Sequence, residues 1–179
     1  MRLKEVLKFL QKLNGQGVWL IPLHAFVLRF GEEKNESIAR ELNNLVKDDV
    51  IIRIANGLYA NLNARSMPGR DYALIQVAKK LRPHDKMYLS LDARANELGL
   101  VLQVPNRLTF VTDGRSYVYK TPIGIIEFVH KDIAKDINEM EGVEYDKGRD
   151  IYVASKERTI EDTKRHKRTY LIGLMEENR

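Results

Sequence analysis

The sequence feature that most constrains the fold is an Asn-Gly pair flanked by two β-prone runs. Residues 50–54 (Val-Ile-Ile-Arg-Ile) and 58–62 (Leu-Tyr-Ala-Asn-Leu) lie on either side of Ala55-Asn56-Gly57. This pattern favours a two-residue hairpin loop, because a type I′ turn needs positive φ at both central positions, which Asn and Gly tolerate. The sequence therefore predicts a two-stranded hairpin with a type I′ turn at Asn56-Gly57.

Three helices are predicted before this hairpin. Residues 2–13 carry leucine and valine at helical spacing, which is typical of an amphipathic helix. A second helix is predicted over residues 23–30, directly after a proline, and a third over residues 35–47, where Asn35 is a suitable N-cap. Three helices followed by a hairpin predict a winged helix-turn-helix domain over residues 1–65.

Residues 66–179 are predicted to form a second domain that mixes sheet and helix. The polar segment 63–69, which contains a Pro-Gly step, marks the boundary. Helices are predicted over residues 71–81, 92–98, 132–140 and from a Ser155 cap to Met175, and strands over residues 88–91, 108–112, 115–120, 123–130 and 151–154. Asp113-Gly114 is a second tight-hairpin signal. The predicted fold class is therefore α+β, with an N-terminal winged helix-turn-helix followed by a mixed α/β C-terminal domain.

Composition limits the possible function classes. The 179 residues include 30 Lys and Arg, 25 Asp and Glu, and no cysteine, which excludes a disulfide framework, a thiol nucleophile and a thiolate metal site. We expect a cytoplasmic protein, because no apolar run is long enough to span a membrane and no signal-peptide pattern opens the sequence. The net charge of +5 is compatible with a nucleic-acid partner, but many proteins without one are equally basic.

The sequence contains no recognisable enzyme motif. The four histidines lack the His-Glu-x-x-His spacing, and there is no P-loop, nucleophile elbow or dinucleotide fingerprint. We therefore expect no enzymatic activity, no catalytic residue, no cofactor and no metal ion. A metal-dependent nuclease is a weaker alternative, for which Glu127 on a predicted strand is the one candidate carboxylate.

The polar side of the predicted third helix is a candidate DNA-binding surface, because a helix of this size fits the major groove. Arg40 can donate two parallel hydrogen bonds to a guanine, and Asn43 or Asn44 can pair in the same way with an adenine. Ser37 and Lys47 are better suited to phosphate contacts, which position the protein without reading sequence. The predicted DNA-binding residues are Asn35, Ser37, Arg40, Asn43, Asn44, Lys47, Arg53 and Asn56.

Two other interpretations of this helix stay open. It can be an ordinary solvated helix, since Glu36 and Glu41 repel phosphate, or it can hold a protein partner instead of DNA. The basic run over residues 164–168 likewise has two interpretations, a solvated helix face or a surface for an acidic or nucleic-acid partner.

Several short motifs resemble the AbiEi-type antitoxins. Residues 52–60 (Ile-Arg-Ile-Ala-Asn-Gly-Leu-Tyr-Ala) are similar to the wing of that family. The steps Gln103-Val104-Pro105, Thr112-Asp113-Gly114 and Glu157-Arg158-Thr159 are similar to its second domain. The resemblance places Val104 and Phe128 in the core of that domain.

The resemblance implies an antitoxin of a type IV toxin–antitoxin system, associated with abortive infection and phage defence. In that family the winged helix binds inverted repeats in double-stranded DNA upstream of its own operon and represses transcription. The second domain counters a nucleotidyltransferase-like toxin, and a stable complex with the toxin is not required. For this chain the resemblance places the DNA role on Arg40, Lys47 and Arg53, and implies a monomer or weak dimer of which two copies occupy the DNA.

Overall fold

The computed structural model describes residues 3–31, 35–133 and 136–177. Within these ranges the chain forms seven α-helices and two β-sheets, so the predicted mixture of helix and sheet is confirmed. The described residues form two compact units. The first comprises residues up to 73 together with 121–123, and the second comprises residues 74–120 and those from 124 onward.

The first unit alternates short strands with three helices. Its elements are α1 (Leu3–Gly15), β1 (Leu20–Pro22), α2 (Leu23–Phe30), α3 (Asn35–Lys47), β2 (Ile52–Ala55) and β3 (Leu58–Ala60). The predicted bounds of α2 and α3 are confirmed. Sequence reasoning missed β1, because three residues are too few to show an alternating pattern. The three strands form an antiparallel sheet in the order β1-β3-β2.

The apolar faces of the three helices meet the sheet in one core. Phe26 of α2 lies at the centre, with edge-to-face contacts to Phe9 at 5.7 Å and to Tyr59 at 5.9 Å between ring centroids. The α3 residues Ile38 and Leu42 are fully buried against this core. Because successive helix residues are rotated by 100°, this burial fixes which side of α3 faces solvent.

The hairpin is present, but its predicted type I′ turn is wrong. Gly57 has a φ of +70°, whereas Asn56 is not among the non-glycine residues with positive φ. The register also shifts within β2, so that Arg53 lies opposite Tyr59 while Ala55 lies opposite Leu58. A regular two-residue loop would place Arg53 opposite Ala60. The bulge absorbs one extra residue of β2 and thereby brings Arg53 beside Tyr59.

The second unit is built on a six-stranded mixed sheet. After α4 (Arg70–Leu81), the elements are β4 (Met87–Leu89), α5 (Leu91–Glu97), β5 (Arg107–Thr112), β6 (Tyr117–Thr121), β7 (Gly124–His130), β8 (Val143–Asp146), β9 (Ile151–Ala154), α6 (Lys156–Arg165) and α7 (Thr169–Glu177). The strand order is β6-β7-β5-β4-β9-β8. β5 pairs with β7, and β4 with β9, in parallel, whereas the β4–β5 and β8–β9 pairs are antiparallel.

The prediction of a hairpin at Asp113-Gly114 is wrong. β5 and β6 are not neighbours, because β7 lies between them. Contacts outside the turn hold this step instead: the Asp113 carboxylate accepts the backbone N–H of Lys86 at 2.9 Å. A Cβ at Gly114 would overlap the carboxylate of Asp85, so close approach requires the glycine here.

Two helix predictions are also wrong. Over residues 132–140, Asp132 lies outside any helix and only Ile137–Glu139 forms a single 3-10 turn; residues 134 and 135 lie outside the described residues. The C-terminal helix starts after the Ser155 cap as predicted, but it divides at Lys167, whose φ is +52°. This left-handed residue ends α6, and the next N–H bonds back to the carbonyl of Thr163 at 3.1 Å, which is a Schellman closure.

Of the two side chains that the resemblance places in the core of the second domain, one is buried and one is exposed. Phe128 is buried with 1% exposure, as the resemblance implies, but Val104 is 82% exposed and its placement in the core is wrong. Strand β8 was not predicted.

Candidate nucleic-acid interface

The side of α3 opposite the core carries the polar residues predicted to bind DNA. Arg40, Asn43, Asn44 and Lys47 are all exposed, whereas Ser37 is half-buried. The backbone of Asn35 begins α3, but its side chain lies outside the described residues. The spacing of the buried positions, three and four residues apart, explains this division of the helix into an apolar and a polar side.

Arg53 joins this surface from the hairpin. Its Nη2 donates to Asn43 Oδ1 at 2.7 Å and to the Tyr59 hydroxyl at 3.3 Å. Its Cζ also lies 5.6 Å from the centroid of the Tyr59 ring, a cation–π distance. Three contacts therefore hold the guanidinium between Asn43 of α3 and Tyr59 of β3. Sequence reasoning missed Tyr59, because only the bulge in β2 places it opposite Arg53.

The hairpin tip is exposed at Asn56, and the next residue, Gly57, is held by a backbone hydrogen bond. The carbonyl of Gly57 accepts the backbone N–H of Leu23 at 2.8 Å. This bond links the tip to the first residue of α2. Asn56 lies at the exposed end of the hairpin.

The positive charges on this surface are not neutralised by neighbours. Over the described ranges, no acidic side chain forms an ion pair with Arg40, Lys47 or Arg53. Glu36 is exposed at the start of the same helix and Glu41 is half-buried. Unpaired guanidinium and ammonium groups keep their full attraction for phosphate, which makes this side of α3 a suitable surface for an anionic partner.

The carboxylate considered for a metal nuclease is engaged by cations. Glu127 accepts hydrogen bonds from Arg168 Nη2 at 2.6 Å and from Thr109 Oγ1 at 3.1 Å, and Arg107 lies 3.6 Å away. Among the residues that the structure describes, no three His, Cys, Asp or Glu side chains converge in an arrangement that could hold a metal ion. Glu127 is best explained as the centre of a partly buried ion-pair cluster in the second unit.

A second charged cluster of this unit is centred on the buried carboxylate of Asp162. Asp162 has no exposed surface, and its oxygens accept from Lys131 Nζ at 2.8 Å and from the Tyr88 and Ser90 hydroxyls, both at 2.9 Å. Arg158 Nε lies 3.5 Å from the same carboxylate. Burial, followed by the charge of Asp162, raises the pKa of Tyr88. The network links β4, α6 and the segment after β7, and we interpret it as structural.

No described helix has the length and apolar character needed to cross a membrane. No curated protein matches the chain. One family model, described as a family of unknown function and designated DUF6088, matches residues 5–141. The match runs from α1 to beyond β7 and covers most of the sequence. The chain therefore belongs to the DUF6088 family.

Proposed function

We propose that the first unit is a winged helix that binds double-stranded DNA, with α3 in the major groove and the β2–β3 hairpin as the wing. The observation that carries the proposal is the set of unpaired cations on one surface: Arg40 and Lys47 on α3, and Arg53 held beside them at the hairpin. The succession of three helices and a hairpin, with β1 added to the sheet, supports the proposal, because helix-turn-helix domains place one helix in the major groove.

The contacts divide by chemistry. Arg40 is suited to the O6 and N7 acceptors of a guanine, and an asparagine of α3 is suited to N6 and N7 of an adenine. Lys47 and Arg53 are suited to phosphates, which fix the register of the helix on the duplex. Asn56 at the hairpin tip is suited to the backbone or the minor groove.

We further propose, from the motif resemblance, that the chain is an antitoxin that represses its own operon through this unit and counters a nucleotidyltransferase-like toxin through the second. The similarity of residues 103–105, 112–114 and 157–159 to the second domain of the AbiEi-type antitoxins supports this role. A module that uses the same α3 surface for a protein partner is the alternative.

The DNA proposal is tested with the full chain and two duplexes: the DNA upstream of its own gene and a shuffled duplex of the same length. We expect tighter binding to the upstream duplex, with affinity falling as salt rises. Arg40→Ala should reduce the discrimination between the duplexes by roughly 1–3 kcal/mol, and Lys47→Ala should weaken both while lowering the salt slope by about one. Arg115→Ala, an exposed arginine of the second unit, is the matched control.

Two results would contradict the proposal. If neither duplex is retarded at low salt, the protein-partner alternative is favoured. If Arg40→Ala leaves the affinity for the upstream duplex unchanged, α3 is not the helix that reads the groove.

The antitoxin role needs a separate experiment. The chain is co-expressed with a nucleotidyltransferase-like protein encoded beside it, and growth is measured. We expect Arg40→Ala to lose repression of a reporter while it still restores growth, because the substitution lies outside the second unit. Loss of both activities in a folded variant would contradict this division of roles.

A further inference from the structure

We propose that Asn43 is a positioning residue that fixes Arg53 for a phosphate contact, and that base reading on α3 falls to Arg40 and Asn44. The inference rests on the proposed DNA function and assigns different roles to residues of the same surface. It starts from one contact, the 2.7 Å hydrogen bond from Arg53 Nη2 to Asn43 Oδ1.

An asparagine that recognises adenine uses both ends of its amide, since Oδ1 accepts from N6 and Nδ2 donates to N7. The Oδ1 of Asn43 already accepts from a guanidinium, and such charge-assisted bonds are stronger than neutral ones. A bidentate contact to adenine would compete with this bond. Asn44 is exposed, and within the described residues no partner engages its side-chain amide. Asn44 also lies one helical turn from Arg40, so their side chains are neighbours on the helix surface.

Arg53 is held from two further sides. The Tyr59 hydroxyl accepts from the same Nη2 at 3.3 Å, and the Tyr59 ring lies under the guanidinium. Tyr59 is itself only 3% exposed and packs edge-to-face on Phe26, so it is anchored in the core. A guanidinium has five N–H donors. Because Nη2 makes both internal bonds, the N–H groups of Nη1 and Nε are left for single contacts to phosphate oxygens.

This arrangement predicts different effects for two adjacent asparagines. Arg53 carries a flexible side chain, and ordering it in advance reduces the entropy lost on binding. Asn43→Ala should therefore weaken binding to every duplex by the same factor, about three- to tenfold, the range expected for one long side chain that must be ordered on binding. Asn44→Ala should weaken the upstream duplex more than the shuffled one.

A double-mutant cycle tests the inference. Dissociation constants of the full chain are measured for the upstream and shuffled duplexes over a salt series, for Asn43→Ala, Arg53→Ala and the double variant. We expect Asn43→Ala to cost nothing further once Arg53 is alanine, and Arg53→Ala to lower the salt slope by about one. Tyr59→Phe, which keeps the ring, should give a smaller uniform loss that also depends on Arg53. Fluorescence of the buried Trp19 verifies that each variant folds.

The controls separate this inference from the proposed function. Asn44→Ala should keep its effect when Arg53 is alanine. An Asn43→Ala penalty that persists without Arg53, or one that falls on the upstream duplex alone, would overturn the positioning role while leaving DNA binding intact. If the unsubstituted chain binds neither duplex, the proposed function and this inference both fail.

Discussion

Replacing Lys131 with methionine should destabilise the second unit strongly. Lys131 is 6% exposed and Asp162 is fully buried, and their charged groups are 2.8 Å apart. Methionine keeps most of the aliphatic stem of lysine but removes the ammonium group. The carboxylate then stays buried without its closest cation, and breaking a buried pair from one side typically costs about 3–5 kcal/mol.

The remaining donors place the expected loss near the lower end of that range. The Tyr88 and Ser90 hydroxyls still donate to Asp162, and Arg158 Nε remains 3.5 Å away. We therefore expect a loss of about 3 kcal/mol in the free energy of unfolding, a large part of the roughly 5–15 kcal/mol of a typical domain. Urea unfolding followed by far-ultraviolet circular dichroism measures it, with an unchanged denaturant slope. Fluorescence is unsuitable, because the single tryptophan, Trp19, lies in the first unit.

The same reasoning predicts that the effect of Asp162→Asn on stability changes sign when Lys131 is replaced. Asp162→Asn should destabilise the otherwise unchanged chain, because Lys131 then loses its counter-charge. In the Lys131→Met background it should stabilise by about 1–2 kcal/mol, because it removes a buried charge that has lost its closest cation. Lys147→Met is the control: it makes the same chemical change at an exposed position of this unit, and we expect an effect within about 0.5 kcal/mol. The reasoning is refuted if Lys131→Met matches this control, or if Asp162→Asn destabilises both backgrounds equally.

Three other predictions concern stability. Leu42→Ala should lower the free energy of unfolding by about 2–5 kcal/mol, because this α3 side chain is fully buried. The unfolding transition followed by Trp19 fluorescence measures the change, and an unshifted transition would contradict the packing of α3. Ser155→Ala should lower the free energy of unfolding by about 0.5–2 kcal/mol, because it removes the hydroxyl that accepts the backbone N–H of Arg158 at 3.2 Å. Thermal unfolding followed by circular dichroism measures the change. Burial lowers the pKa of His166 below its ordinary value of 6.5. The folded state therefore binds fewer protons at His166 than the unfolded state does. Because of this difference, the free energy of unfolding falls as pH drops through and below 6.5. His166→Gln should flatten that fall in a melting series from neutral pH to about pH 5.5; an equal fall in both proteins would contradict it.

The helices of the first unit were largely predictable, because their information is local. Apolar positions three and four residues apart fix α3, and the same pattern assigns Arg40, Asn44 and Lys47 to its exposed side. The partner of Arg53 was not predictable in this way. The Asn-Gly signal predicts a hairpin, but it does not indicate the bulge in β2 that places Arg53 opposite Tyr59 instead of Ala60, because a bulge is a feature of the pairing between two strands.

The second unit was harder because its pairing is non-local. Asp113-Gly114 has the composition of a tight hairpin, yet β7 takes the position beside β5 that a hairpin would give to β6. The ion pairs are similarly hidden: Asp162 and Lys131 are 31 residues apart, and nothing in their immediate neighbours marks either as buried. The sequence also does not indicate the break between α6 and α7 at Lys167, since lysine is a good helix former and seldom ends a helix in the left-handed conformation.

The strand order has a consequence for synthesis on the ribosome. β4 is completed at Leu89, but its parallel neighbour β9 begins only at Ile151. The first sheet can close once Ala60 has emerged, whereas the middle of the second must wait for roughly 90 further residues, on the order of ten seconds at translation rates of about 5–20 residues per second. From the synthesis of Leu89 until that of Ile151, one edge of β4 lacks its parallel neighbour β9. A nascent chain stalled before Ile151 should therefore resist proteolysis in its first unit and be cleaved readily in the second.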